Sequence, residues 1–299
     1  MELIEYLNNS PMAFVIVCGI LGLAVGSFLN VVILRLPVMM ERQWHSQCRE
    51  LLDSGSEKTG KKIQPPIHAQ ERFDLVYPPS RCPQCGHNIK ALENIPVLSY
   101  LILKGKCSGC GIRIPFRYPL VESVTALFSM AVAWHFGFGW EAGAALLLTW
   151  SLICLTVIDI DHQLLPDGIT LPFLWIGLFM SLSGIFTDSA SAIIGALAGY
   201  LSLWSVYKIF KWTTGKEGMG YGDFKLLAML GAWMGWKLIL PVILLSSLVG
   251  AVVGIAMILL RGRDKNIPIP FGPYLATAGW ICLLWGNNLV QLYKDWMGI

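Results

Sequence analysis

Eight stretches of this chain are apolar almost without a break, at 11–34, 119–137, 141–158, 168–186, 190–210, 224–240, 242–260 and 270–290. A helix that crosses a bilayer needs about 20 mostly apolar residues, and each stretch is near that length. One long polar region, 35–118, separates the first from the second. The pattern predicts an all-α polytopic membrane protein of about eight transmembrane helices, with a small polar domain inserted after the first. The expected divisions are 1–34, 35–118 and 119–299. Gly19, Gly22 and Gly26 share one face of the first helix, where they would let a neighbouring helix approach closely.

Composition agrees with the pattern. Of 299 residues 55% are hydrophobic and 14% charged, and the mean hydropathy is +0.60. These values exclude an ordinary soluble domain. The N-terminus carries Glu2 and Glu5 but no basic stretch, and no small-residue cleavage site follows, so the first run reads as a retained helix. Arg35 ends that run, and Leu36-Pro37 is expected to turn the chain out. Residues 41–70 begin as a charged helix and then, through Ser54, Gly55, Ser56, Gly60 and Pro65-Pro66, read as a loop.

Charge decides the orientation. The 35–118 region holds thirteen Lys and Arg against seven Asp and Glu, about +6. With that region in the cytoplasm, only Lys237 and Lys294 of the twenty-two basic residues fall clearly on the far side. This is the positive-inside pattern. It places Asp159 and Asp223 at the same face, because two helices lie between them. The basic residues are not interleaved as a nucleic-acid face would be, so no nucleic-acid partner is expected.

The two carboxylates have unusual settings. Gly218-Met219-Gly220-Tyr221-Gly222-Asp223 sets an Asp at the mouth of an apolar helix, after three alternating glycines that permit turns and close backbone approach. Val157-Ile158-Asp159-Ile160-Asp161-His162 ends another apolar run. Two Asp side chains at one membrane depth suit a water-activating dyad, in which one takes a proton while the other holds one. The plainer alternative is a pair of interfacial helix caps. Asp161 and Asp167 compete with Asp159. Asp161 faces another way on a helix, and Asp167, after Pro166, reads as the cap of the next span. His162 is an electrostatic helper or an idle interfacial residue. Glu122, in a membrane helix, is either functional or simply at headgroup depth.

Four of the eight Cys form two C-x2-C-G knuckles, Cys82-Pro83-Gln84-Cys85-Gly86 and Cys107-Ser108-Gly109-Cys110-Gly111. Four thiolates make the closed tetrahedral shell of a structural zinc site, with no open position for water. Redox dithiols and an iron–sulfur cluster are the other readings. With four Cys available, His87 reads as a surface residue.

Together, Gly26-Ser27-Phe28-Leu29-Asn30, Arg35-Leu36-Pro37, the two knuckles, Glu93-Asn94-Ile95-Pro96, Arg117-Tyr118-Pro119-Leu120-Val121-Glu122, Asp159 with Leu164-Leu165-Pro166-Asp167, and Gly220-Tyr221-Gly222-Asp223-Phe224-Lys225 resemble the bacterial type IV prepilin peptidases. The resemblance covers essentially the whole chain. It implies an intramembrane aspartic protease of the bacterial inner membrane with Asp159 and Asp223 as its catalytic pair and a cytoplasmic active site. It implies substrates of two kinds, type IV prepilins and the pseudopilins of type II secretion, cut after a short basic leader ending in Gly. It also implies a second activity, N-methylation of the new N-terminal residue, usually Phe, using S-adenosylmethionine. By the resemblance that cofactor would sit in 35–118, where Gly105, Glu93 and Arg117 are candidates; no soluble-methyltransferase glycine loop marks the place. Two alternatives stand beside this reading: a prepilin peptidase without methyltransferase activity, and a non-enzymatic zinc-bearing transporter using the Asp pair as a relay.

Overall fold

The structure is a computed structural model that describes residues 2–55, 72–261 and 269–297. Among them the chain is helical, with no strand beyond two isolated bridges. The helices are α1 (Glu2–Asn9), α2 (Pro11–Gly55), α3 (Leu98–Ile102), α4 (Arg117–Phe136), α5 (Trp140–His162), α6 (Asp167–Ser181), α7 (Ser189–Thr214), α8 (Tyr221–Met234), α9 (Ile239–Arg261) and α10 (Gly272–Met297). Every expected apolar stretch coincides with one of them.

Five helical segments among the described residues are both long and apolar enough to cross a membrane: Pro11–Leu52, Arg117–Phe136, Trp140–His162, Ser189–Thr214 and Trp236–Met257. Helices α6 and α8 have 15 and 14 residues. At ~1.5 Å per residue they extend roughly 21–23 Å, less than the ~30 Å of a hydrocarbon core.

The expected turn at Leu36-Pro37 does not occur: α2 continues through Pro37 to Gly55. Proline removes one backbone donor, but no second breaker follows until Gly55. The intervening Glu, Arg, Gln and Leu residues favour helix strongly enough to carry it on. The expected loop from Ser56 onward lies outside the described residues.

Contacts divide the chain into two compact units. The first comprises Met1–Gly19 and Phe128–Ile299. Its centre is α8, in which Phe224, Leu226, Leu227, Met229, Leu230 and Trp233 are almost wholly enclosed. Such a helix is apolar all round because other helices cover all of it. Helix α7 crosses α8 backbone to backbone: a Cβ on Gly231 would run into the Gly195 carbonyl, and one on Gly199 would lie 2.6 Å from the Leu227 oxygen. Without a hydrophobic drive between helices in lipid, such close packing is what holds a bundle together. Helix α6 locks onto the same core through Trp233, whose Nε1–H donates to the Phe173 carbonyl at 2.7 Å. Helix α9 presents Leu240, Leu244, Leu248, Val252, Ile255 and Leu259 outward. Apolar rows this long are costly in water and suited to lipid.

The second unit is Ile20–Leu127. It contains the remainder of α2, the start of α4 and the cysteine segment between them. Arg35 ties that segment down, donating to the carbonyls of Asp74 at 2.9 Å and Pro78 at 2.7 Å.

Candidate functional site

The first site lies where α5 ends and α8 begins. Helix α5 stops at His162, capped by Gln163 in the left-handed conformation with its N–H on the Asp159 carbonyl at 2.9 Å. The stop leaves Asp159 one turn from the helix end, at 5% exposure. Asp223 is the third residue of α8 and is 7% exposed. The two carboxylates are close enough for their charges to act on each other, and the Gly220 backbone hydrogen-bonds Asp223. Two residues 64 positions apart in the chain thus share one electrostatic neighbourhood.

The neighbouring candidates have different settings. Asp161 and His162 are exposed. Asp167 does not cap α6, whose N-cap is Pro166. Its carboxylate instead takes Lys225 Nζ through both oxygens at 2.7 Å. That pair clips the start of α6 to α8, two residues beyond Asp223.

The glycine segment works by close approach, not by a left-handed turn, since none of Gly218, Gly220 and Gly222 has a positive φ. A Cβ at Gly222 would lie 2.7 Å from Leu165 Cβ. The left-handed residue is Gly215, which ends α7. Beyond it, Lys211 Nζ donates to Glu217 at 2.6 Å and Tyr207 Oη donates to the same oxygen at 3.2 Å, tethering the loop to α7.

One contributor is invisible to sequence reasoning. The Gly272 N–H, at the start of α10, donates to Asp159 Oδ2 at 3.0 Å. A Cβ on Gly272 would lie 2.6 Å from that oxygen and 3.2 Å from Leu165 Cδ2. Leu165 therefore fills the space beside both Gly222 and Gly272. The signal was Pro270-Phe271-Gly272-Pro273, a glycine between prolines at a helix start, but nothing in it points to Asp159.

The cysteine segment folds as two copies of one turn, twenty-five positions apart. Cys82 N–H donates to His87 O and Gly86 N–H to Cys82 O; Cys107 N–H donates to Ile112 O and Gly111 N–H to Cys107 O. Gly86 and Gly111 sit at φ +71° and +72°, a conformation that favours glycine. The four Sγ atoms lie within 4.8 Å of one another, and Cys82 and Cys110 Sγ are 3.8 Å apart. A tetrahedron with Zn–S near 2.3 Å has edges of about 3.8 Å. The donor set and its spacing therefore fit a four-thiolate metal site.

His87 is not idle surface. Its Nε2 lies 3.1 Å from Glu93 Oε2 and 3.1 Å from Ser108 Oγ, joining the first knuckle to the second. Glu93 also accepts from Lys90 N–H and Ser108 Oγ. Hydrogen bonds from Lys90, Ser108 and His87, in that order, hold its carboxyl down to about 2. Gly105, at φ +67°, packs beneath the Tyr100 ring. Glu122 is 8% exposed, and its Oε2 accepts the Val97 N–H at 2.7 Å. Glu93, Tyr100 and Glu122 line one cavity of about 590 Å³ in this unit; Arg117 is not in its wall.

Comparison with known proteins places these sites in a family. The bacterial peptidase A24 N-terminal domain matches residues 20–136, and the type IV leader peptidase family matches residues 146–255. The first match contains the four cysteines and the second contains Asp159 and Asp223. A protein of Pseudomonas aeruginosa named prepilin leader peptidase/N-methyltransferase is 57% identical over 298 residues, which is 100% of this chain and 99% of the relative. Proteins of the same name from Aeromonas hydrophila and Xanthomonas campestris are 54% and 48% identical. The first alignment covers 97% of both chains, the second 98% of this chain and 99% of its relative. No solved structure matches. With relatives aligned end to end at this identity, the chain belongs to the type IV leader peptidase family.

Proposed function

We propose that this protein cleaves the leader from type IV prepilins and type II pseudopilins and then N-methylates the new N-terminus. Asp159 and Asp223 form the proteolytic pair. One observation carries the reading: two buried carboxylates, near the end of α5 and the start of α8, lie within electrostatic reach of each other in a largely apolar bundle. An ionised carboxylate takes the proton of a water held between the side chains, while its protonated partner hydrogen-bonds the Gly carbonyl of the scissile bond. The carboxyl pair returns the proton to the leaving amine.

The parts around the pair have matching tasks. Gly272 orients Asp159, and the Asp167–Lys225 pair fixes the register of α8. An apolar cavity of about 370 Å³, lined by residues including Met219, Ile243, Phe271 and Tyr274, adjoins the glycine loop and the start of α10. It suits the apolar helix that follows the scissile bond. The positive-inside charges put this end of the bundle in the cytoplasm of an inner-membrane protein. Counting α6, α8 and α10 with the five longer spans makes eight crossings.

Cys82, Cys85, Cys107 and Cys110 would hold zinc, which supplies folding free energy to a segment short of apolar core. S-adenosylmethionine supplies the methyl group when bound. The chain's own part is to hold the substrate amine deprotonated and exclude water.

The test uses full-length protein in detergent and a synthetic prepilin with its basic leader and Gly–Phe junction. Asp159→Asn and Asp223→Asn should each abolish cleavage, read by mass, while methylation of pre-cut pilin continues. Cleavage that persists in Asp159→Asn makes Asp161 the next suspect; persistence in both variants refutes the aspartic mechanism.

A further inference from the structure

The segment between the two knuckles is charged at its ends and apolar in its middle, yet its apolar side chains do not form a core. Helix α3 has no buried residue. Its inner side is already committed: Ser99, Tyr100 and Leu103 line the cavity described above, and the Tyr100 ring packs over Gly105. Leu98, Leu101 and Ile102 stand at i, i+3 and i+4, the spacing of one helix face. Leu92 extends that face from the turn Ala91–Asn94, which packs against α3. Phe116 extends it on the other side, its ring 6.3 Å from that of Tyr100 and edge-on to it. These five side chains are 56–79% exposed. An apolar cluster of this kind on a polar domain marks a surface that is covered in use.

Two observations name the cover. The first is continuity with α4, which is long and apolar enough to cross a membrane. Leu120 N–H donates to Phe116 O at 3.2 Å, so the two side chains lie one helical turn apart on one side. Leu127, seven positions beyond Leu120, is exposed on that side too. The patch therefore runs directly into the outward face of a helix suited to lipid. The second observation is charge. Residues 89–120 carry Lys90, Lys104, Lys106, Arg113 and Arg117 against a single acid, Glu93. Glu93 is bonded to His87 and Ser108, while Lys90, Lys104, Lys106 and Arg113 are exposed. Such side chains lay their stems along apolar surface and hold their charge at phosphate level. An apolar face flanked by cations is the composition of a segment that lies in the membrane interface. A second copy of the same face would instead set these cations against one another, because a two-fold interface pairs like patches.

We infer that the face formed by Leu92, Leu98, Leu101, Ile102 and Phe116 is an interfacial anchor that seats the cysteine domain on the anionic leaflet where α4 enters the bilayer. The inference rests on α4 crossing the membrane and is independent of the catalytic reading. The apolar side chains enter the boundary between headgroups and acyl chains, and the flanking lysines and arginine meet lipid phosphates.

The experiment uses the unaltered full-length protein in lipid nanodiscs containing phosphatidylglycerol with a diazirine on its acyl chain, close to the ester. After illumination, lipid-labelled residues are mapped by mass. Label in 91–104 should reach at least about half of that in the α4 stretch 118–127, and exceed that in the second knuckle, 107–113, several-fold. Label in 91–104 below about a tenth of the α4 value overturns the anchor and leaves the patch to a protein partner or a second copy. Replacing the anionic lipid by phosphatidylcholine carrying the same diazirine should lower the label in 91–104 at least about twofold, and an equal yield overturns the choice of an anionic leaflet. The double change Leu101→Glu and Ile102→Glu should cut the label in 91–104 at least about fivefold while that in 118–127 stays constant; an unchanged yield overturns the assignment of this face. Both positions are exposed, and the labelling of the unaltered protein decides the question even where the variant is poorly made.

Discussion

Replacing Gly272 by alanine tests whether the start of α10 sets the geometry of the acidic pair. The added Cβ would lie 2.6 Å from Asp159 Oδ2, where ordinary contact begins near 3.4 Å. The carboxylate and the helix start must therefore separate by about 0.8 Å. Leu165 Cδ2, at 3.2 Å, leaves little room on the other side. The Gly272 N–H···Oδ2 bond, 3.0 Å long, would stretch or break. A hydrogen bond to a charged group is worth roughly 1.5–3 kcal/mol, and a misplacement near 1 Å at a reacting centre costs about 10²-fold in rate. Both routes predict that kcat for prepilin cleavage falls roughly 10²-fold, and KM, read from the same curves, reports any disturbance of the neighbouring cavity that Phe271 and Tyr274 line. The assay is cleavage of full-length prepilin followed by mass over a range of substrate concentrations. Methylation of pre-cut pilin, measured on the same preparation, reports whether the protein is folded. Cleavage within threefold of the starting protein would show that Gly272 does not position Asp159.

Three further outcomes follow from other parts of the structure. Gly231→Ala should destabilise the α7–α8 crossing by at least about 1–3 kcal/mol, since the methyl has only the Gly195 backbone to enter, and its thermal unfolding midpoint in detergent should drop. Purified protein should carry one zinc per chain by elemental analysis, and Cys107→Ser or strong chelation should expose residues 80–115 to limited proteolysis. Glu93, held down to about 2 from an ordinary 4.5, contributes stability that is complete above pH 4.5 and is lost as the pH falls toward 2. Hydrogen exchange of the 80–115 segment should therefore accelerate over that interval, and less steeply in Glu93→Gln.

Most of the architecture was legible along the chain, because partition between water and lipid acts on local composition. Apolar run length located the long helices, though not the short α1 and α3, and counting crossings led to the expectation that Asp159 and Asp223 share a face. The two C-x2-C-G units were equally legible, since a tight turn with a left-handed glycine is a local structure whose spacing brings its own sulfurs together. What failed was also instructive. Pro37 looked like an end of the first helix, but one lost backbone hydrogen bond did not outweigh the helix-favouring residues that follow. Asp167 looked like a cap, but a lysine brought up by α8 took both its oxygens. His87 read as a surface residue, and only the fold set Ser108 of the second knuckle beside it. Gly272 lies 113 residues from the aspartate it orients, and no periodicity or motif joins them. The sequence by itself determined the helical, membrane-spanning character of the chain, the family it belongs to and the four cysteines that cluster. The tertiary structure alone decided what each side chain touches, because backbone approaches such as Gly195 on Gly231 and Gly272 on Asp159 come from mutual packing of distant helices.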